Sequence, residues 1–159
     1  LSPVLSALMV TGRVGSAMAT EIGTMRVTEQ IDAMEVMAVN PIQYLVAPRV
    51  WATTLMLPVL SILFTIVGMF GCYLVAVLWM NVDEGQFMAK IATFMETKDL
   101  ISGLIKSAVF GALLSTIGCH KGFHASGGAR GVGEATTQAV VIASVMVFVL
   151  DYLMTAIMF

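Results

Sequence analysis

Residues 50–82 form a continuous stretch without a charged side chain, and this stretch constrains the fold more than any other feature of the sequence. Trp51 and Trp79 lie near its two ends. A helix between them would be about 42 Å long at about 1.5 Å per residue, and a bilayer with its headgroups is roughly 40–45 Å thick. Because tryptophan favours membrane interfaces, the spacing predicts a helix that crosses a membrane.

The composition of the whole chain agrees with a membrane location. Hydrophobic residues make up 58% of the 159 residues and charged residues only 11%, whereas a soluble domain has about 25% charged residues. A soluble globular domain, a disordered chain and a nucleic-acid-binding protein are therefore excluded as classes. The two cysteines, Cys72 and Cys119, lie far apart in apolar stretches and are expected to pack as small hydrophobic residues.

Three further apolar stretches each contain one charged residue: Arg13 in residues 1–20, Lys106 in residues 100–118 and Asp151 in residues 140–159. An open sheet leaves backbone groups unsatisfied in lipid, and the alternating pattern of a barrel is missing from the sequence. We therefore predict a single all-α domain over residues 1–159, a polytopic transmembrane helical bundle with four spans. The glycine-rich run 127–137 is interpreted as a flexible entry to the last span.

Small residues recur every four positions in two of the predicted spans. They are Gly15, Ala19 and Gly23 in the first span, and Gly103, Ser107, Gly111 and Ser115 in the third. Such stripes allow helix backbones to approach closely in a membrane. They predict the faces through which the spans pack against each other.

Basic residues in the loops indicate the orientation of the bundle. With four spans, the loops 21–49 and 119–134 lie on one side of the membrane and the loop 81–99 lies on the other. The first two loops contain four Lys and Arg residues, and the third contains two. By the positive-inside rule, the first two loops are predicted to be cytoplasmic. In the loop 81–99, a short helix on the membrane surface is predicted from Phe87, Ile91, Phe94 and Met95, which share one helical face.

Residues 26–40 form an amphipathic segment that differs from the rest of the chain. Its apolar positions recur at helical spacing, and they are Val27, Ile31, Met34 and Ala38. The other faces carry the acids Glu29, Asp32 and Glu35. The pattern predicts a short cytoplasmic helix that ends before Pro41. Surface helices usually present Lys and Arg to anionic headgroups, so the acids favour a protein partner, with a plain surface connector as the alternative.

A charged side chain inside a span costs several kcal/mol and requires a partner or a function. Lys106 and Asp151 lie at similar depths, about 9 Å and about 12 Å from the same membrane face at about 1.5 Å per residue. They either form an ion pair, or Lys106 faces an outward-opening cavity and contacts a lipid phosphate. Arg13 lies nearer the cytoplasmic end, where snorkelling or a structural bond to helix-end carbonyls or to Glu21 is expected, with a lipid contact as the less favoured alternative.

Sequence motifs of catalysis and metal binding are missing from the chain. His120 and His124 have a spacing that can hold zinc on a helix, but no HExxH glutamate and no Cys or Asp cluster accompanies them. The GxSxG and HExxH motifs do not occur. We therefore predict neither a metal site nor an enzyme. An ion-coupled transporter or channel that uses Arg13, Lys106 and Asp151 is an alternative to a lipid transporter.

Several blocks of the sequence point to one family. They are AxxxTGRVGSAMATEIGTMRVTEQIDAMEVMAVNPIQYLVAPR at 7–49, LIKSAVFG at 104–111, GVGEATTQAVV at 131–141 and LDYLMTAIMF at 150–159. Together they resemble the MlaE/YrbE permease family of lipid-transporting ABC systems, and the resemblance covers essentially the whole chain. It implies a permease subunit in the bacterial inner membrane, which moves phospholipids between the inner and outer membranes and maintains the lipid asymmetry of the outer membrane.

The resemblance also implies an assembly. The family works as a homodimer with two cytoplasmic ATPase subunits, which bind and hydrolyse ATP, so no cofactor is expected in this chain. A hexameric MCE-domain protein lies on the periplasmic side, where the loop 81–99 would also lie, and a small cytoplasmic accessory subunit is a further expected partner. Residues 26–40 match the coupling helix of the family, and the residues expected to contact the ATPase are Glu29, Asp32, Met34 and Glu35.

The lipid site implied by the resemblance includes Lys106 and the apolar start of the chain, with Leu1, Val4 and Leu5. In the family, an Arg-Glu pair precedes Leu-Gly-Pro-Val. Here only LSPV is present at residues 1–4, with Ser2 in the glycine position. The chain is therefore expected to lack the charged pair and a fifth span that precede this motif in the full protein.

Overall fold

The computed structural model describes residues 1–94 and 97–158, and within these ranges the chain consists of helices and turns without β-strands. Helix α1 covers residues 2–27 and includes a π-helical turn at Thr11–Gly15. The helices that follow are α2 (Gln30–Val36), α3 (Ile42–Trp79), α4 (Glu84–Phe94), α5 (Thr97–Phe123) and α6 (Gly128–Met158). The predicted all-α class is confirmed.

Helices α1, α3, α5 and α6 pack side by side with alternating directions along the chain. Ser2 at the start of α1 donates a hydrogen bond of 2.9 Å to the Ser61 carbonyl in the middle of α3. Near the end of α1, the hydroxyl oxygens of Thr20 and Thr136 lie 2.9 Å apart, close to the start of α6. Helix α2 and the turn before α6 therefore lie at one end of the bundle, called here the α2 end. Helix α4 packs beside Tyr73 toward the other end, called the α4 end.

Among the described residues, three helices are long and apolar enough to cross a membrane: Ile42–Trp79, Lys98–Phe123 and Gly128–Met158. They make the chain a multi-pass membrane protein. Helix α1 is long as well, but its polar residues, Arg13 among them, lower its hydropathy. The fourth span therefore remains a prediction.

Helix α5 contacts its neighbours through glycines, in part those of the predicted stripe. A methyl group added at Gly111 would lie 2.6 Å from the Thr53 carbonyl oxygen of α3. A methyl group added at Gly122 would lie 2.7 Å from the Ala19 carbonyl oxygen of α1. Backbones this close leave no room for any side chain, so glycine is required at both positions.

The helix predicted over residues 26–40 is shorter in the structure. Residues 26 and 27 complete α1, and α2 covers only Gln30–Val36. Between them Glu29 has a left-handed backbone with φ of 59°, and a residue in this conformation interrupts a right-handed helix. The turn lets Ile31 enter an apolar cluster with Ile22 and Cys119. This tertiary contact is absent from the local amphipathic pattern.

The segment predicted as a flexible entry to the last span is also different in the structure, where residues 128–137 form the start of helix α6. Val132 and Ala135 pack with Ala125 and with Val27 of α1, so the small residues stabilise a helix here instead of a flexible segment. The helix predicted within the loop 81–99 is present as α4, in which Phe87 packs against the ring of Tyr73 at 5.9 Å. Met95, assigned to the same face, lies outside the described residues.

We expect Gly111→Ala to lower the free energy of unfolding by about 1–3 kcal/mol, because its methyl group would force α5 away from α3. Gly68→Ala is the matched control in α3, since a methyl group there meets nothing within 4 Å. Unfolding by SDS titration in mixed micelles measures both. Equal stability of the two variants would contradict the close contact.

Candidate functional site

Helix α2 is fixed to the α2 end of the bundle by one apolar side chain. Ile31 is fully buried against Ile22 of α1 and Cys119 of α5. Leu45 at the start of α3 and Phe123 at the end of α5 pack against the same cluster. A displacement of α2 therefore acts directly on three long helices.

The outer surface of α2 combines acidic and apolar side chains. Glu29 and Glu35 are exposed, and neither forms an ion pair within the part of the chain that the structure describes. Asp32 differs because the Arg26 guanidinium of α1 binds its carboxylate. Glu29 and Glu35 thus have carboxylates available to a partner, whereas Asp32 is already bound.

Two apolar residues of this surface are not predicted from the sequence. Val36 is 88% exposed and Met37 is 68% exposed, whereas the predicted Met34 is half-buried. Neither residue belongs to the apolar stripe that includes Ile31, and both face away from the bundle. Apolar residues on an acidic helix face are the sequence signal that would have identified them.

Lys106 and Asp151 form an ion pair between α5 and α6. The Lys106 ammonium donates hydrogen bonds to Asp151 Oδ1 at 3.1 Å and to the Thr155 hydroxyl at 2.6 Å. The Lys106 side chain is only 12% exposed. The pairing hypothesis from the sequence is therefore realised in the structure, and the contact with a lipid phosphate stays a prediction.

The residues assigned to the lipid site from the start of the chain do not share one surface. Leu1 lines a groove of about 480 Å³ together with Thr65 of α3 and Gly103 of α5. Val4 instead packs against the core of the bundle. Leu5 is exposed, and neither residue lines this groove.

The bond predicted between Arg13 and Glu21 is wrong. Glu21 binds Arg49 of α3, with a distance of 3.0 Å from Arg49 Nη2 to Glu21 Oε2. Arg13 is exposed and lines a groove with both residues. Because α3 packs beside α1 in the opposite direction, it brings Arg49 to the carboxylate, and the sequence of α1 alone cannot show this.

The arrangement defines a class: a multi-pass helical membrane protein with a short helix, α2, between its long helices and with the Lys106–Asp151 ion pair between two helices that can cross a membrane. The family model for the permease MlaE matches residues 1–157. The chain therefore belongs to the MlaE permease family, as the sequence blocks predicted.

Curated relatives are similar along the full length of this chain. The chain is 42% identical to the intermembrane phospholipid transport system permease protein MlaE of Haemophilus influenzae and covers 61% of that protein. It is 45% identical to a "probable ABC transporter permease protein" of Synechocystis, of which it covers 60%. It is 42% identical to the chloroplastic protein TRIGALACTOSYLDIACYLGLYCEROL 1 of Arabidopsis thaliana, of which it covers 45%. The chain thus spans about three fifths of the bacterial relatives.

We expect Lys106→Met and Asp151→Leu each to destabilise the protein by about 1–3 kcal/mol, because each leaves a partly buried polar group without its partner. The double variant should recover most of this loss, since an apolar pair needs no charge compensation. The Arg130→Gln/Glu134→Gln pair is an exposed control, with an expected change below about 0.5 kcal/mol. SDS titration measures all variants. Additive losses in the double variant would show that the two side chains do not depend on each other.

Proposed function

We propose that this chain is the permease subunit of an ABC transporter that moves phospholipids between the inner and outer bacterial membranes. In this role it contributes to the lipid asymmetry of the outer membrane. The main support for the proposal is the position of α2, a short helix that Ile31 anchors to the bundle and whose exposed outer surface can bind a partner. The family match and the name of the Haemophilus relative support a phospholipid substrate.

The partner of α2 in this proposal is a cytoplasmic ATPase subunit. A docking surface needs an apolar centre and charges that select the partner, and α2 offers Val36 and Met37 beside Glu29 and Glu35. When ATP binding closes the ATPase dimer, α2 would move. The Ile31 cluster would transmit this movement to α1, α3 and α5.

Lys106 is the proposed contact for the lipid phosphate. Its ammonium group has three protons, and two bonds to protein oxygens leave one proton for a third acceptor. A phosphate oxygen can take that position or replace the Thr155 hydroxyl. In both cases the bond to Asp151 would stay in place and hold the Lys106 ammonium toward the phosphate.

The remaining partners follow from the family. Two copies of the permease would enclose the lipid cavity as a homodimer in the inner membrane. A periplasmic MCE-domain hexamer would exchange lipid with the α4 end, and a small cytoplasmic accessory subunit would complete the complex. In this orientation the α2 end is cytoplasmic, and ATP is bound and hydrolysed by the ATPase.

We expect the double variant Glu29→Lys/Glu35→Lys to abolish lipid-stimulated ATP hydrolysis in the reconstituted complex, because two attractive charges at the ATPase surface become repulsive. Asp32→Asn should have a smaller effect, since Arg26 already binds that carboxylate. Asp83→Lys, at an exposed acid before α4, is the control for a charge reversal outside α2. Unchanged ATP hydrolysis in the double variant would count against α2 as the coupling surface.

Transport separates the two roles of Lys106. We expect Lys106→Met/Asp151→Leu to fold and to assemble with the ATPase but to lose ATP-dependent transfer of labelled phospholipid. Lys106→Arg should retain part of the transfer, because arginine also binds phosphate. If the double variant transports lipid as well as the unchanged protein, Lys106 serves only the fold.

A further inference from the structure

A basic groove lies between α1 and α3, nearer the α2 end than Lys106. It has a volume of about 640 Å³, and Arg13 and Arg49 both line it. Glu21 lies in the same groove and binds Arg49. With one carboxylate against two guanidinium groups, the groove keeps a net positive charge.

The donors of this groove are not all satisfied. Arg49 Nη1 is buried and has no hydrogen-bond partner among the described residues, and the side chain as a whole is only 20% exposed. Arg13 makes no ion pair in the described part of the chain. Guanidinium groups remain charged at every physiological pH. An anionic ligand would therefore meet two fixed positive charges and free N–H donors.

The depth of the groove is indicated by the aromatic residues of α3. Tyr44 and Trp51 flank Arg49, and each is 68% exposed. Exposed tyrosine and tryptophan side chains of membrane helices lie at the level of the headgroups. Arg49 is therefore placed where lipid phosphates lie. This position is about 10 Å along α3 from Ile42 at about 1.5 Å per residue.

A separate apolar groove lies between the same two helices, α1 and α3, nearer the α4 end. Met9 lies one helical turn before Arg13 on α1, and it lines the second groove together with Leu60, Phe64 and Val67 of α3. The seam is thus basic at headgroup depth and apolar further toward the α4 end. A basic surface followed by an apolar surface matches the phosphate group and the acyl chain of a phospholipid.

We infer that this seam binds an anionic phospholipid from the membrane leaflet at the α2 end, with Arg13 and Arg49 donating hydrogen bonds to its phosphate. Arginine suits this role because its planar fork binds phosphate oxygens bidentately. The site lies outside the proposed Lys106 contact and requires neither ATP nor a partner subunit. It therefore goes beyond the proposed function and stands independently of it.

The test measures lipid binding to the full-length protein in detergent by native mass spectrometry. The probes are dioctanoyl phosphatidylglycerol, the zwitterionic dioctanoyl phosphatidylcholine, and inorganic phosphate as a competitor. Arg13→Gln should weaken phosphatidylglycerol binding about tenfold, the loss expected for one charge-assisted hydrogen bond. Arg130→Gln removes an exposed arginine that pairs with Glu134. It should bind the lipid like the unchanged protein.

Gly12→Leu gives a second variant without a change in charge. A Cβ atom added at Gly12 meets nothing within 4 Å, and Gly12 lines the groove. We therefore expect this variant to fold, to place its side chain in the groove and to bind phosphatidylglycerol more weakly. It avoids a substitution of Arg49, which would also remove the bond to Glu21 that joins α1 to α3. Unchanged lipid binding in both Arg13→Gln and Gly12→Leu would overturn the inference.

Two further results would also overturn it. If inorganic phosphate displaces the lipid at equal concentration, the acyl groove contributes nothing and the site binds free phosphate. If Arg13→Gln still binds the lipid but no longer binds a second copy of the chain or the ATPase, the groove binds an acidic side chain of that protein instead of a lipid. Stronger binding of phosphatidylglycerol than of phosphatidylcholine, lost only in the groove variants, is the result we expect.

Discussion

The rest of the structure depends on the close backbone contacts of α5 with α1 and α3. Lipid tails are as apolar as leucine, so burying apolar side chains between helices gains little in a membrane, and close van der Waals contact must hold the helices together. Gly111 and Gly122 provide that contact at two levels of α5. Helix α5 also connects Lys106, nearer its start, to the cluster around Ile31, which it contacts near its end. One rigid helix thus links the proposed lipid contact to the proposed ATPase surface.

Much of this fold can be predicted from the sequence, because a membrane restricts the kinds of secondary structure that a chain can adopt. The uncharged stretch 50–82 lies almost entirely within α3, and the small-residue stripe through Gly111 marks a true packing face. The errors occur where tertiary contacts override local pattern. Glycines at 128–133 indicate a loop, yet packing of Val132 on Ala125 makes them helical. Likewise, the left-handed Glu29 divides a helix that the amphipathic pattern joins.

The charged groups show a similar limit. Equal depth in two spans was sufficient to suggest the pair of Lys106 and Asp151, because both positions are counted from helix ends on the same side. The partner of Glu21 could not be found in this way. It comes from α3, and the sequence of α1 contains no information about which residue of another helix reaches Glu21. The exposed Val36 and Met37 were missed for a related reason, since periodicity identifies the buried face of a helix and not the composition of its free face.

The central claim is ATP-driven movement of phospholipid, with an ion-coupled transporter as the main alternative. The most direct measurement is transfer of a labelled phospholipid out of proteoliposomes that contain the full-length permease and its partner ATPase. We expect transfer that requires ATP and both subunits and that is insensitive to dissipation of proton and sodium gradients. Transfer that proceeds without ATP and stops when an ion gradient is removed would contradict the claim.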